Sequence, residues 1–307
     1  MRARSTRVVA AAAMLMFSVP APSCESDRVR LQMLGTGGPE LVGDRASSGY
    51  LVWLDGKARV IIDAGAGTVH RFRQSGAKFS TVELMLFTHF HVDHSSDFPA
   101  YVKGSYFTDR TEDLMVIGPS GNALLPSAGQ FVARMLDQPA GVYPYLSDFL
   151  APGDKSAYKI LSRTVPWSHE NPVIRTVYQA GDLLVQSVPV HHGPLPALGY
   201  RIELACCVLS FTGDMSGQLG QMPVLARGSD ILVAHNAIPE EASGAAANLH
   251  MKPSYIGTLA AAAGVRQLVL SHLMQRTVDR KVDTTRFIRE AYKGPIRFPN
   301  DLDVIRP

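Results

Sequence analysis

Short apolar runs, each ending in a polar residue, set the rhythm of this chain. Leu84–Phe87, Leu183–Val190, Cys206–Leu209, Ile231–Ala234 and Gln267–Leu270 have the length and apolar character of buried strands. The clearest helix is predicted over Ser254–Ala263, with Pro253 at its first turn and Gly264 past its end. A second is predicted over Gln130–Leu136. Strand-like runs alternating with helical segments indicate an α/β class. No linker or short fixed-period repeat interrupts them, so residues 28–307 read as a single domain.

The residues that close these runs carry the chemistry. The stretch Thr88–Phe98, THFHVDHSSDF, places His89, His91, Asp93 and His94 where a strand runs out into a loop. Positions two apart in extended backbone point the same way, so His89 and His91 can converge on one cation. Asp93 and His94 follow the start of a turn and can aim at a neighbouring point. Imidazole and carboxylate without thiolate suit zinc, iron or manganese at a reactive site. Further candidates close later runs: His191 or His192, then Asp214, then His272. Of these, Asp214 has the chemistry of a bridge between two cations.

The HxHxDH spacing resembles the metallo-β-lactamase superfamily. Leu34–Pro39 (LGTGGP), Ile61–Thr68 (IIDAGAGT) and Pro196–Glu203 (PALGYRIE), with Leu249-His250 and Ser271-His272-Leu273, resemble its endoribonuclease Z and arylsulfatase-like branch. The likeness runs from about residue 29 to 280. It implies a four-layer αββα sandwich with the metal site at one edge of the sheets, and two divalent cations, zinc first, with manganese or iron as alternatives. His89, His91 and His192 would hold one metal; Asp93, His94 and His272 the other; Asp214 would bridge. His192 is preferred to His191 because Gly193 and the Pro-Ala-x-Gly-Tyr run follow it, and because alternation lets only one of the pair face the metals. His250, Asp93 and Asp63 are the candidate catalytic residues: His250 as proton donor to a leaving group at a near-normal pKa, Asp63 orienting a ligand histidine. His235 occupies another site-proximal position, but Asn236 follows it where the branch carries glutamate.

Residues 1–21 read as a secretory signal: Arg2, Arg4 and Arg7, then the apolar Val8–Phe17, then Val19-Pro20-Ala21, with cleavage near 21–24. Lipidation at Cys24 is the alternative. The expected location is the bacterial periplasm. Removing the signal's three arginines from the 30 Lys+Arg leaves 27 against 27 Asp+Glu, so the mature chain exerts no general pull on nucleic acid. No other segment approaches a membrane span. Cys206 and Cys207 are expected on one strand as small buried residues, without a disulfide framework.

Two spacings refine the picture. The 22 residues from His192 to Asp214 leave no room for the long arm that grips tRNA in bacterial endoribonucleases of this branch. The 98 residues from His94 to His192 hold an aromatic-rich insertion with Tyr143, Tyr145, Phe149, Tyr158 and Trp167, either a wall over the metals or packing. The expectation is an exported dinuclear hydrolase of a small phosphodiester, sulfate ester or related ester, acting through metal-activated water, with room for a homodimer. Alternatives are a β-lactamase, a thioester or lactone hydrolase, a non-catalytic exported metal-binding protein, and diiron redox chemistry.

Overall fold

Side-chain alternation along the strands builds two seven-stranded sheets that share one core. The structure is a computed structural model that describes residues 27–307 except Pro152 and Asp154; the predicted signal and Cys24 lie outside the described residues. The first sheet contains β1 (Val29–Gly35), β2 (Gly49–Leu54), β3 (Lys57–Ile62), β4 (Leu84–Leu86), β5 (Leu114–Pro119) and β6 (Ile160–Val165). The second contains β7 (Arg175–Ala180), β8 (Leu183–His192), β9 (Leu195–Leu204), β10 (Cys207–Phe211), β11 (Ile231–His235), β12 (Gln267–Ser271) and β13 (Ile296–Arg297). A last strand, β14 (Val304–Ile305), returns to pair with β1 and completes the first sheet.

On β2, Tyr50, Val52 and Leu54 face the inter-sheet core while Leu51 and Trp53 face outward. On β11, Ile231 and Val233 face inward and Leu232 and Ala234 outward. Both faces of each sheet are therefore apolar, and each outer face must be covered. Helices α1 (Thr68–Gln74), α2 (Val92–Ser95), α3 (Phe98–Ser105) and α4 (Ala128–Leu136) follow strands of the first sheet, and α1, α3 and α4 pack on its outer face. Of α5 (Met222–Leu225), α6 (Gly244–Leu249), α7 (Pro253–Ala263), α8 (Gln275–Val278) and α9 (Lys281–Ala291), α5, α7 and α9 cover the second. This is the four-layer αββα sandwich.

Both predicted helices form. Helix α7 starts at Pro253 and ends on left-handed Gly264. Helix α4 begins two residues earlier than expected, because Ser127 and Gln130 close a reciprocal capping box. Strands β3, β4 and β5 run parallel, as do β10, β11 and β12. Since β8 and β10 are both antiparallel to β9, β8 shares the direction of β10. The residues that follow these strands thus emerge at a common edge.

The cysteines depart from expectation. Cys206 is exposed, in the two-residue turn Ala205–Cys206 between β9 and β10, where both residues have positive φ (48° and 63°). Two such residues match the twist of a tight hairpin. Cys207 is buried and takes part in a disulfide. That turn also leaves no protruding segment between His192 and Asp214. The aromatic insertion divides: Phe149 and Tyr158 pack under the outer face of the first sheet, Tyr143 and Tyr145 are exposed, and Trp167 donates to the Val190 carbonyl (3.3 Å). No helix among the described residues is long and apolar enough to cross a membrane.

Candidate metal centre

Six strand ends deliver the site. The turn after β4 carries His89 and His91, and α2 begins at once to bring Asp93 and His94 round to the same point. From the second sheet come His192 (β8), Asp214 (after β10), His235 (β11) and His272 (after β12). Asp63, after β3, adopts φ 56°, and His272 adopts φ 54°.

Asp214 is the hub. Its Oδ2 lies 3.9 Å from His89 Nε2, 3.6 Å from His94 Nε2, 3.8 Å from His192 Nε2, 3.5 Å from His272 Nε2 and 3.7 Å from His250 Nδ1. These are not hydrogen bonds. Two ligands of one tetrahedral zinc, each on a bond of about 2.0–2.1 Å, stand roughly 3.3–3.4 Å apart. The spacing therefore suits ligands around a cation. His89 Nε2, His94 Nε2 and His192 Nε2 are buried without a hydrogen-bond partner, so three lone-pair positions converge on one place. Two overlapping sets, His89/His91/His192/Asp214 and His94/Asp214/His235/His272, each bring four ligand atoms within 4.8 Å of one another.

The far nitrogens fix the tautomers. His94 Nδ1–H donates to Asp63 Oδ2 (2.8 Å), and His192 Nδ1–H donates to the Leu249 carbonyl (2.8 Å). Thr88 Oγ1 donates to Asp63 Oδ2 (2.8 Å), so it accepts from His89 Nδ1 (3.1 Å). Each arrangement points Nε2 at the centre. Asp63 also accepts from the Thr88 backbone N–H (2.7 Å). It faces away from the cluster and positions His94; it is not placed as a catalytic group.

His235 has a different part. Its Nδ1 meets Asp214 Oδ1 (2.7 Å) and its Nε2 meets Tyr50 Oη (2.8 Å), which also contacts Ser271 Oγ (3.0 Å). Both ring nitrogens are occupied, so we read His235 as the group that locks Asp214 and leaves Oδ2 for the centre. In the second set Asp93 takes its place, with Oδ2 3.2 Å from His272 Nε2 and 3.5 Å from His94 Nε2. Sequence reasoning missed Tyr50 altogether. It carries no local signature, only an inward position on β2. His191 turns away, with Nδ1 2.7 Å from Ser216 Oγ, as alternation requires.

Charge is distributed unevenly. Burial pushes His89 far below the imidazole range, helped by His94 and His192, and brings His192 down to about 4 against the pull of Asp214. Burial opposes protonation of His94 too, but Asp93, Asp63 and Asp214 outweigh it and hold His94 well up; Asp214 and Asp93 do the same for His272. Asp214, despite its burial, is held far down by His272 and His94. Protons on His94 and His272 thus neutralise the carboxylates, and they are what a bound cation would displace.

His250 sits over this cluster with its side chain 11% exposed. Burial pushes it down to about 3, against Asp214. The expectation of a near-normal pKa is corrected: a ring packed 5.4 Å from His192 and 5.6 Å from His272 is too desolvated to hold a proton at neutral pH.

Residues 58–273 match the family described as "Beta-lactamase superfamily domain". The chain belongs to this metallo-β-lactamase superfamily, on its ribonuclease Z-like branch. Its relatives include a protein named Ribonuclease Z from Lachnoclostridium phytofermentans, 27% identical over 270 residues, covering 78% of this chain and 86% of the relative. The human short-form tRNase Z structure superposes with TM-score 0.69 at 19% identity, covering 90% of this chain and 98% of that one. Zinc-bound PqqB from Methylobacterium extorquens superposes with TM-score 0.61 at 11% identity, covering 90% and 99%. Together with the His/Asp cluster these define a metal-dependent hydrolase.

Proposed function

We propose that this chain is an exported dinuclear zinc hydrolase of small phosphodiesters. The observation that carries the reading is the single carboxylate oxygen, Asp214 Oδ2, ringed by five imidazole nitrogens at 3.5–3.9 Å. His89, His91 and His192 would hold one cation, Asp93, His94 and His272 the other, with Asp214 shared. Two bound cations would supply a water of lowered pKa and a Lewis acid for the substrate oxygen. The protein's own groups do the rest. Asp63, Thr88 and the Leu249 carbonyl hold three imidazoles in the ligating tautomer. His235 and Tyr50 fix the carboxylate. His250, neutral in the resting site, would take up the proton that the attacking water gives up and pass it to the departing oxygen.

Phosphodiester chemistry is favoured by the relatives named Ribonuclease Z; a donor set without thiolate, and the zinc in the PqqB structure, favour zinc. The tight β9–β10 turn favours a small substrate over tRNA. The apolar segment at 8–17 behind three arginines favours export. The test is a panel on metal-replete protein: bis(p-nitrophenyl) phosphate, a phosphomonoester, a sulfate ester, a lactone, a thioester, a cephalosporin and a precursor tRNA. The diester should turn over fastest. Faster cleavage of the cephalosporin or of precursor tRNA would overturn the assignment.

A further inference from the structure

On the outer side of the first sheet, away from the metal centre, the helices α1 and α3 and the 3₁₀ turn Phe79–Thr81 line an open cavity of about 860 Å³. None of the metal-site residues lines it. That volume falls within the range of small-molecule sites.

Its floor is rigid and aromatic. Phe72, Phe79 and Tyr101 are all buried and pack against one another, with ring centroids 5.4–6.1 Å apart. Phe107 stands at the side with 82% of its surface exposed. A ring left this open beside an apolar cavity is a wall without its cover. Gly104, on the last turn of α3, also lines the space, and a Cβ built there meets nothing within 4 Å.

The rim carries two fixed cations. Arg73 and Lys78, with His70 beside them, line the cavity and are exposed. Asp109 is the one carboxylate beside them among the lining residues; Ser80 holds its pKa down and Lys78 adds to this. Two fixed positive charges against one negative leave the mouth net positive. Apolar walls with a positive rim complement one class of molecule, an amphipathic organic anion with its tail among the rings and its head at Arg73 and Lys78.

We propose that this cavity is a second binding site, for a small amphipathic carboxylate or sulfonate, distinct from the metal centre. The probes are 8-anilinonaphthalene-1-sulfonate, whose fluorescence rises on apolar burial, and decanoate as its competitor, with decanol as the neutral control. The full chain with its metals in place should bind one sulfonate per chain, and decanoate should displace it better than decanol. Gly104→Trp fills open space and should abolish the fluorescence while metal content and melting temperature stay as in the parent. Arg73→Gln with Lys78→Gln should weaken decanoate about tenfold and leave decanol unchanged. The proposal is overturned if the Gly104→Trp protein binds as tightly as the parent. It is equally overturned if decanol competes as well as decanoate, or if the sulfonate is lost when metals are removed. Sedimentation showing a dimer that the Gly104→Trp change dissociates would assign the face to a second copy of the chain instead.

Discussion

Replacing Asp63 by asparagine isolates the contribution of one buried carboxylate to metal binding. Asp63 is fully buried and accepts three hydrogen bonds, from the Thr88 N–H, the Thr88 hydroxyl and His94 Nδ1. Asparagine fits the volume and tolerates the left-handed backbone at φ 56°. Its Oδ1 can still serve the Thr88 N–H, but its amide N–H₂ now faces Thr88 Oγ1 and His94. His94 must then accept at Nδ1, so its proton moves to Nε2, the atom aimed at the centre. The same imidazole stays in place with its lone pair turned away. Loss of such a supporting partner weakens a metal site by roughly 10–100-fold, or about 1.4–2.7 kcal/mol. Titrating metal-free protein with zinc against a chromophoric chelator reads both sites. One dissociation constant should rise by that factor, while the site of His89, His91 and His192 holds within severalfold. If both constants match the parent, Asp63 does not set the His94 tautomer and the reasoning fails.

Asp214→Ala removes the shared oxygen and should reduce metal content below one per chain and abolish turnover; two retained metals, by elemental analysis, would refute the bridge. His250→Ala should lower kcat by about 10²–10⁴ at unchanged metal content, with the larger loss on substrates with poor leaving groups. An equal loss on all leaving groups would count against proton donation. In metal-free protein, His192 and His250 are held at about 4 and about 3, below the ordinary imidazole value of ~6.5. A depressed group contributes stability that is complete above the unfolded value and is lost as pH falls through the folded one. The melting temperature of chelator-treated protein should therefore drop between pH 7 and pH 4, and His250→Gln should flatten that slope; a flat parent profile would contradict the shifts.

The metal motif could be read from the chain because its spacing is local. His89 and His91 share a face of extended backbone, Asp93 and His94 follow a turn, and His192, Asp214 and His272 each close an apolar run. The sandwich was legible through resemblance and through the two-faced apolar strands. The place of His235 near the site was legible but its role was not, since that depends on Tyr50, 185 residues away on the other sheet. Nor was the depressed pKa of His250, which is a product of the assembled cluster. The placement of Cys206 was misread because an apolar run does not show where a hairpin turns; the positive-φ pair Ala205 and Cys206 forms the turn, and β10 begins one position later than the expected strand, at Cys207.

The delivery of ligands from both sheets has a mechanical consequence. Each proposed cation would be gripped by residues from either side of the sandwich: His89 and His91 against His192, His94 and Asp93 against His272, with Asp214 common to both. Bound metal then acts as a rivet between two layers whose ligands lie as far apart in sequence as His89 and His272. Such a rivet adds to the resistance to unfolding in proportion to the logarithm of free metal, about 2.7 kcal/mol at a hundredfold excess over the dissociation constant. The durability of this fold is therefore a property of its surroundings as well as of its sequence, and rises and falls with the supply of metal.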